Sequence, residues 1–317
     1  PYVSRYQFSA GSGLVRLQHA LENDRVDETL TRINQYGIGL PLGFGPGATV
    51  TVEGGDEGPV SFAADAGSAV LNQDLDSHWT LRAPGVQREG ERGPAAIDVS
   101  DGDRGLWVGL RDFWQKWPSE LTFNADGMGI GVNLLPGFED DRYADLGDAI
   151  ESDRLYYHVR DGGYRLHWGV SFTREIWLGF HEGGYDATTS WAEQLREPLI
   201  AAAPTQWYCA SGAFGDQLPR TEGLFPEYEA MVDRILDRLV QIREQNREYG
   251  FLNFGDWWGE RGYNWGNHEY DTPHADMVQF IRTGERRFYD EAVAAAEHMR
   301  DVDFIHHAPN PRDVYKT

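Results

Sequence analysis

Up to about residue 185, apolar positions alternate with polar residues or glycine. The runs are "LVRLQHALEN" (14–23), "YGIGLPLGF" (36–44), "ATVTVEG" (48–54), "GLWVGLRDF" (105–113), "LTFNADGMGIGVNLL" (121–135) and "YRLHWGVSFTREIWLGF" (164–180). A period of two over such lengths, punctuated by Gly, Asp, Asn and Pro, is the pattern of half-buried strands. "NADG" at 124–127 has the residues of a hairpin turn. No helix-length amphipathic stretch interrupts these runs, so residues 1–185 are expected to form antiparallel sheets packed as a β-sandwich.

Beyond residue 185 the period changes to that of helices. In "YEAMVDRILDRLVQIREQNREYG" (228–250), Met231, Ile235, Leu239 and Ile242 fall on one stripe, with Gly250 placed to end the helix. "DTPHADMVQFIRTG" (271–284) opens on Asp or Thr with Pro273 in its first turn and closes on Gly284. "ERRFYDEAVAAAEHMRDVDFIHH" (285–307) is read as a third helix, with Phe288, Ala292, Ala295 and Met299 facing inward. Helix, long loop, helix, short turn, helix is how stacked helical hairpins begin, and three are too few to close a ring. The expected fold is therefore multidomain β plus α: an antiparallel β-sandwich (1–185) followed by an incomplete α/α toroid of helical hairpins (186–317). The join at "REPLIAAAPTQWYCASGAFG" (196–215) is apolar and expected to be packed. The chain starts at Pro1 and stops at Thr317, just beyond a helical pattern. It is read as a piece of a longer chain or a processed form.

Charge narrows the possible partners. The net charge is −23, from 51 acidic residues against 28 basic ones. Lysine occurs only at Lys116 and Lys316, and arginine supplies the rest. Such a balance repels nucleic acid and anionic membranes, and no run is long enough to span a bilayer. Disorder does not explain the acidity, because the acids are interleaved with Trp, Tyr, Leu and Val. An acidic, lysine-poor surface points to a protein of a salt-loving, GC-rich microbe, the bland alternative being an ordinary acidic secreted protein. The single cysteine, Cys209, excludes an internal disulfide framework and is expected to be a small core residue.

Between the first two long helices lies "FLNFGDWWGERGYNWGNHEYD" (251–271), with three Trp, two Tyr, two Phe, three Asn, one His and five charged residues. A buried core would avoid the polar half and a plain surface loop the aromatic half. Rings flanked by amides and charges suit a sugar, whose C–H faces stack on Trp or Tyr while its hydroxyls meet polar groups. Trp257, Trp258, Asn264, Trp265, Asn267, Glu269 and Asp271 are the expected substrate contacts. The bland alternative is a helix connection pinned by buried Trp.

The same stretch holds the parts for β-elimination from a uronic acid. That reaction needs a group to neutralise the carboxylate, a base for the adjacent proton and an acid for the leaving oxygen. His268 is the candidate base, Tyr270 or Tyr263 the acid, and Arg261 with Asn264 or Asn267 the neutraliser. His274 lies one turn beyond Tyr270, and His306 and His307 are read as favourable partners of a helix C-terminus. No HExxH or comparable ligand spacing appears, so neither a metal nor a cofactor is expected. His158, His167, Arg174 and Glu175 are expected to be solvated sheet residues beside buried Trp168 and Trp177, with Arg174 and Glu175 on opposite faces.

"GVSFTREIWLGFH", "PTQWYCASGAFG", "GDWWGERGYNWGNHEYD" and "RTGERRFYDEAVAAAEHMRDVDFIHH" together resemble the exo-rhamnogalacturonan lyase and YetA-like family. That family has an N-terminal barrel, a central β-sandwich and a C-terminal α/α toroid. The resemblance implies that this chain spans the central sandwich and the first part of the toroid. The helical half carries the more specific motifs, and only Asn264–Asp271 matches at the level of a site. In the last strand this chain has "FTRE", with Arg174 where family members often have histidine in a Thr-His-Glu step.

The expected function is that of a secreted or cell-surface lyase acting on acidic, rhamnogalacturonan-like polysaccharide or its oligosaccharides. Two alternatives stay open. One is a glycoside hydrolase using Glu260, Glu269 or Asp271 as paired carboxylates; the other is a non-catalytic sugar-binding or surface-structural protein.

The charge generates the first prediction. Self-repulsion at −23 is weakly screened in dilute buffer, whereas the Debye length shrinks to about 3 Å at 1 M salt. The melting temperature should rise between those conditions in a salt-titrated thermal scan. A flat or falling trend would reject the salt-loving reading.

Overall fold

The computed structural model describes residues 1–144, 146, 158–159, 162–257 and 266–316. The chain divides into two compact units, one of residues 1–198 with 305–317 and one of residues 199–304. The last thirteen residues thus belong with the strands, although the period of the preceding helix had assigned them to the helical half.

The first unit is built on two antiparallel sheets. The larger has the order β1 (Tyr2–Phe8), β2 (Leu14–Glu22), β15 (Ser171–Glu182), β11 (Arg104–Leu110), β10 (Ala96–Ser100), β5 (Thr49–Val52), β6 (Val60–Ala63). The smaller runs β4 (Tyr36–Pro41), β13 (Gly129–Leu135), β12 (Ser119–Asn124), β7 (Ala69–Leu75), β8 (His78–Ala83), β9 (Val86–Gly90). A two-stranded ribbon pairs β14 (Tyr164–His167) with β3 (Leu30–Ile33). The sheets face each other as a sandwich. Phe62 of the larger meets Phe123 of the smaller edge-on at 6.3 Å, and Phe172 meets Tyr36 at 6.2 Å. Val50, Val99, Leu71, Leu81 and Val132 lie buried on their inner faces. The hairpin at 124–127 forms as expected, with Asn124 paired to Gly129 and the Asn124 side chain accepting from the Gly127 amide.

Alternation located β2, β4, β5 and β11 to β15. It missed β3, β6, β7, β8 and β10, and also β1 and β9, which are sheet edges with one row of hydrogen-bonding groups unpaired. Their sequences, "YVSRYQF" and "VQREG", carry the polar residues that edges favour. On the outer face of the larger sheet, Trp107 and Trp177 pack with Ala192 and Leu195 of α1 (Thr189–Arg196). Gly179 makes this approach possible, since a β-carbon there would lie 2.2 Å from the Trp191 ring.

Two expectations for β15 need correction. Arg174 is not solvated: it is 1% exposed, between the sheets, and donates to the Lys116 carbonyl and to Ser119 Oγ at 2.8 Å each. Glu175, on the opposite face, pairs with Arg16 and accepts from the Trp177 indole at 2.6 Å. His158 is likewise fully buried, and burial pushes its imidazole down to about 3.

The helical unit contains α2 (Thr205–Ser211), α3 (Pro226–Asn246), α4 (Asn267–Tyr270), α5 (Thr272–Thr283) and α6 (Arg286–His298). No strand occurs among its described residues, and no described helix is long and apolar enough to cross a membrane. Its core joins Val232 and Leu236 of α3 to Phe280 and Ile281 of α5 and Phe288 of α6. Cys209 is half-buried on α2 rather than fully in a core. Helix α3 ends not at Gly250 but at Arg247, which takes the left-handed conformation itself at φ 55°.

The stripe chosen for α3 faces the other way. Val232, Leu236 and Arg243 are buried, whereas Met231 and Ile235 are 42% and 59% exposed. The helix carries apolar residues on both flanks, so periodicity alone offered two registers. The buried one is fixed by Arg243, whose guanidinium makes a bidentate pair with Glu291 of α6.

The two flanks should respond differently to truncation. Leu236→Ala should cost about 2–5 kcal/mol, as an uncollapsed core cavity does, and Ile235→Ala no more than about 0.5 kcal/mol. Denaturant titration of the helical unit's transition checks this. Equal losses from both would contradict the packing described.

Candidate functional site

The loop between α3 and α5 is closed by one carboxylate. Asp256 Oδ1 accepts from the main-chain amides of Trp257 (2.6 Å), Gly266 (3.2 Å) and Asn267 (2.9 Å). It therefore holds both ends of the stretch 257–266 at once. The Gly266 amide also donates to the Trp257 carbonyl at 2.8 Å. Gly266 has to be glycine, because a β-carbon there would sit 2.5 Å from the Trp257 ring.

Gly255 and Asn267 tie this closure to α6. Gly255 has φ 103°, and a β-carbon on it would lie 2.2 Å from the Ala294 carbonyl oxygen. Asn267 is completely buried, and its amide nitrogen donates to the carbonyls of Gly255 (2.7 Å) and Ala295 (3.3 Å). Expected as a substrate contact, Asn267 stands instead in the scaffold under the loop. Its short polar side chain there supplies a donor to the buried Gly255 carbonyl and a second one to that of Ala295.

Of the other expected site residues, Trp258, Glu260, Arg261, Tyr263, Asn264 and Trp265 lie outside the described residues. Trp257 and Tyr270 are brought together, with ring centroids 5.5 Å apart and planes 30° from parallel. The Trp257 indole donates to Thr272 Oγ1 at 3.1 Å, which fixes its plane against the start of α5. Tyr270 is 49% exposed and Trp257 half-buried. Trp257 also borders an open groove of about 1010 Å³ along the exposed flank of α3, with Met231, Ile235 and Ile242.

His268, Glu269 and Asp271 are exposed on the single turn of α4 and the left-handed residue that ends it. The His268 ring meets Phe304 edge-on at 5.6 Å. Among the described residues no hydrogen bond orients it. A general base needs such a partner for a defined tautomer, so the described part of the site lacks the orienting group expected for His268.

The structure assembles a second group that sequence reasoning missed. Asp256, His298 and Asp303 present ligand-type atoms all within 4.8 Å of one another. His298 Nε2 lies 3.4 Å from Asp256 Oδ2 and 3.5 Å from Asp303 Oδ1. Asp256 and His298 side chains are 0% and 1% exposed, and Asp303 11%. Burial, with the charge of Asp303 adding to it and His298 opposing it, pushes the Asp256 carboxyl up to about 6.

The expected third helix ends at His298, not at 307, and passes into a π-helical turn, Met299–Asp303. With five residues between bonded groups, that turn brings Asp303 back beside His298. His298 takes the inward place assigned to Met299. His306 and His307 then lie past the helix rather than on its end, with His307 Nε2 3.1 Å from Glu22 Oε2 in the first unit. The sequence signal was only "HMRDVD", whose five-residue spacing matches neither an α-helical nor a strand period.

No protein-family model matches the chain, and no curated protein does. Among solved structures, one of a "putative aldose 1-epimerase" from Klebsiella pneumoniae is similar at 14% identity with a TM-score of 0.30. The match covers 61% of this chain and 49% of that one. A likeness so distant carries no argument about fold or activity.

Near the site, Asp276 of α5 faces the Arg243–Glu291 pair. Burial, reinforced by the Glu291 charge and opposed by Arg243, raises its carboxyl from 3.8 to about 7. A carboxyl whose folded pKa is raised lets the folded state keep a proton that the unfolded state gives up. Stability therefore falls as pH rises from about 4 to about 7. Asp276→Asn should stabilise the helical unit at pH 8 and change little at pH 4, as read by denaturant midpoints. An equal effect at both pH values would contradict the assignment.

Proposed function

We propose that the chain acts on acidic polysaccharide, with the loop 251–271 as its sugar-contacting element and β-elimination as its reaction. The observation that carries this reading is the stacked, partly exposed Trp257–Tyr270 pair, set beside exposed His268 on a loop closed by Asp256. A half-exposed tyrosine ring backed by a tryptophan is a surface that a pyranose can cover, exchanging weakly hydrated C–H faces for ring contact.

In this reading His268 removes the proton beside the uronate carboxyl and Tyr270 protonates the leaving oxygen. Arg261 supplies the planar cation that a carboxylate requires near a chain of charge −23. The resemblance to the exo-rhamnogalacturonan lyase and YetA-like family supports the same substrate class. It also supports reading α3, α5 and α6 as the opening helices of an α/α toroid. A polymeric substrate places the protein outside the cell or on its surface.

The chain is tested on rhamnogalacturonan and polygalacturonate. Ultraviolet absorbance from unsaturated uronyl ends should grow with time, and His268→Ala should lower that rate about 10²–10⁴-fold while oligosaccharide binding persists. New reducing ends without absorbance would instead establish hydrolysis. Binding with no turnover would reduce the site to recognition, and undiminished turnover in His268→Ala would remove it as the base.

A further inference from the structure

We infer that Asp256, His298 and Asp303 form a site for one divalent metal ion of the Zn²⁺ or Mn²⁺ class, set beneath the closure of the aromatic loop. The inference is independent of what the loop binds.

The spacing is the first argument. A protonated imidazole that donates to a carboxylate approaches to about 2.7–2.9 Å. His298 Nε2 instead stands 3.4 Å from one carboxylate oxygen and 3.5 Å from another, nearly equidistant and beyond hydrogen-bonding range of both. Two ligand atoms each about 2.1 Å from a common ion, at a tetrahedral angle, are about 3.4 Å apart. His298 thus stands at the separation from each carboxylate that shared coordination requires, and the three ligand atoms lie within 4.8 Å of one another.

The second argument is an unused acceptor. The Asp256 carboxylate is 0% exposed; its Oδ1 takes three amides, while its Oδ2, turned toward His298, accepts no hydrogen bond among the described residues. Asp303 Oδ2 is buried in the same condition. Two carboxylates in one largely buried spot leave a net negative charge even if the imidazole is protonated. Uncompensated, such charge is costly to bury, and a divalent cation would neutralise it.

The donor set selects the ion. One imidazole nitrogen with two carboxylate oxygens suits Zn²⁺ or Mn²⁺, whereas Ca²⁺ takes six to eight oxygens and no imidazole. The amides held by Oδ1 would act as the supporting shell that orients this ligand. Metal occupancy would therefore brace the two ends of the loop.

The test is a titration of chelator-treated protein with ZnCl₂, MnCl₂ and CaCl₂, followed by calorimetry. One Zn²⁺ or Mn²⁺ should bind per chain, and Asp303→Asn should weaken it at least about tenfold. Asp303 is partly exposed and the change is isosteric, so the variant should keep the wild-type circular dichroism. In a parallel experiment needing no variant, substoichiometric Mn²⁺ should broaden the amide resonances of Asp256, His298 and Asp303, with those of Gly255, Trp257, Gly266 and Asn267, before others. Absence of saturable binding would overturn the site. So would binding unchanged by Asp303→Asn, Ca²⁺ binding as tight as Zn²⁺, or broadening centred on other residues.

Discussion

The geometry around the candidate site depends on the buried carboxylate of Asp256. One of its oxygens gathers three amides from a loop's two ends, and the other faces His298 Nε2 at 3.4 Å, which in turn stands 3.5 Å from Asp303. Removing it would leave the Trp257 and Asn267 amides without their acceptor, while Gly266 keeps the Trp257 carbonyl, and each buried donor left unpaired costs about 1–3 kcal/mol. The closeness of Gly255 to Ala294 and the amide bonds of Asn267 to Gly255 and Ala295 bring α6 against the same point. The position of Trp257, and through it the stacking on Tyr270, follows from that anchor. The proposed sugar contact would thus sit on a loop whose ends are held by Asp256 and whose described exposed residues belong to α4 and Asp271.

Strands such as β12 and β13, with one face wholly inside the sandwich, announce themselves by alternation. The edge β1 does not, because most of its side chains meet water, and neither does the interior β10, which is buried at every position. The end of α5 at Gly284 was readable because only glycine adopts its φ of 72° without strain. The end of α3 was not, because Arg247 takes a left-handed conformation that composition does not signal. Its inward face was misread for another reason: both flanks are apolar, and the choice rests on the long-range pairing of Arg243 with Glu291.

For the candidate site, composition singled out a stretch but not each residue's part in its geometry. The mixture of rings and amides in 251–271 marked the loop, and Asn267 turned out to be one of its supports. Asp256 was passed over because a lone acid between Gly255 and Trp257 carries no periodic signal. His298 and Asp303 were hidden by the π-helical turn, since a spacing of five places two residues on different sides of a regular helix. Arg174 shows the same limit in the strands. Alternation put it on a face of β15, and only the second sheet, through Ser119 and the Lys116 carbonyl, makes that face interior.

The most direct test of this account is amide hydrogen exchange in wild type and Asp256→Ala, followed residue by residue. The wild-type amides of Trp257, Gly266 and Asn267 should be protected together. Trp257 and Asn267 should lose that protection in the variant, while Phe280 and Ile281, in the helical core, keep theirs; Gly266, whose amide also meets the Trp257 carbonyl, should lose less. Unchanged protection at Trp257 and Asn267 after loss of the carboxylate would contradict the claim that Asp256 holds the loop.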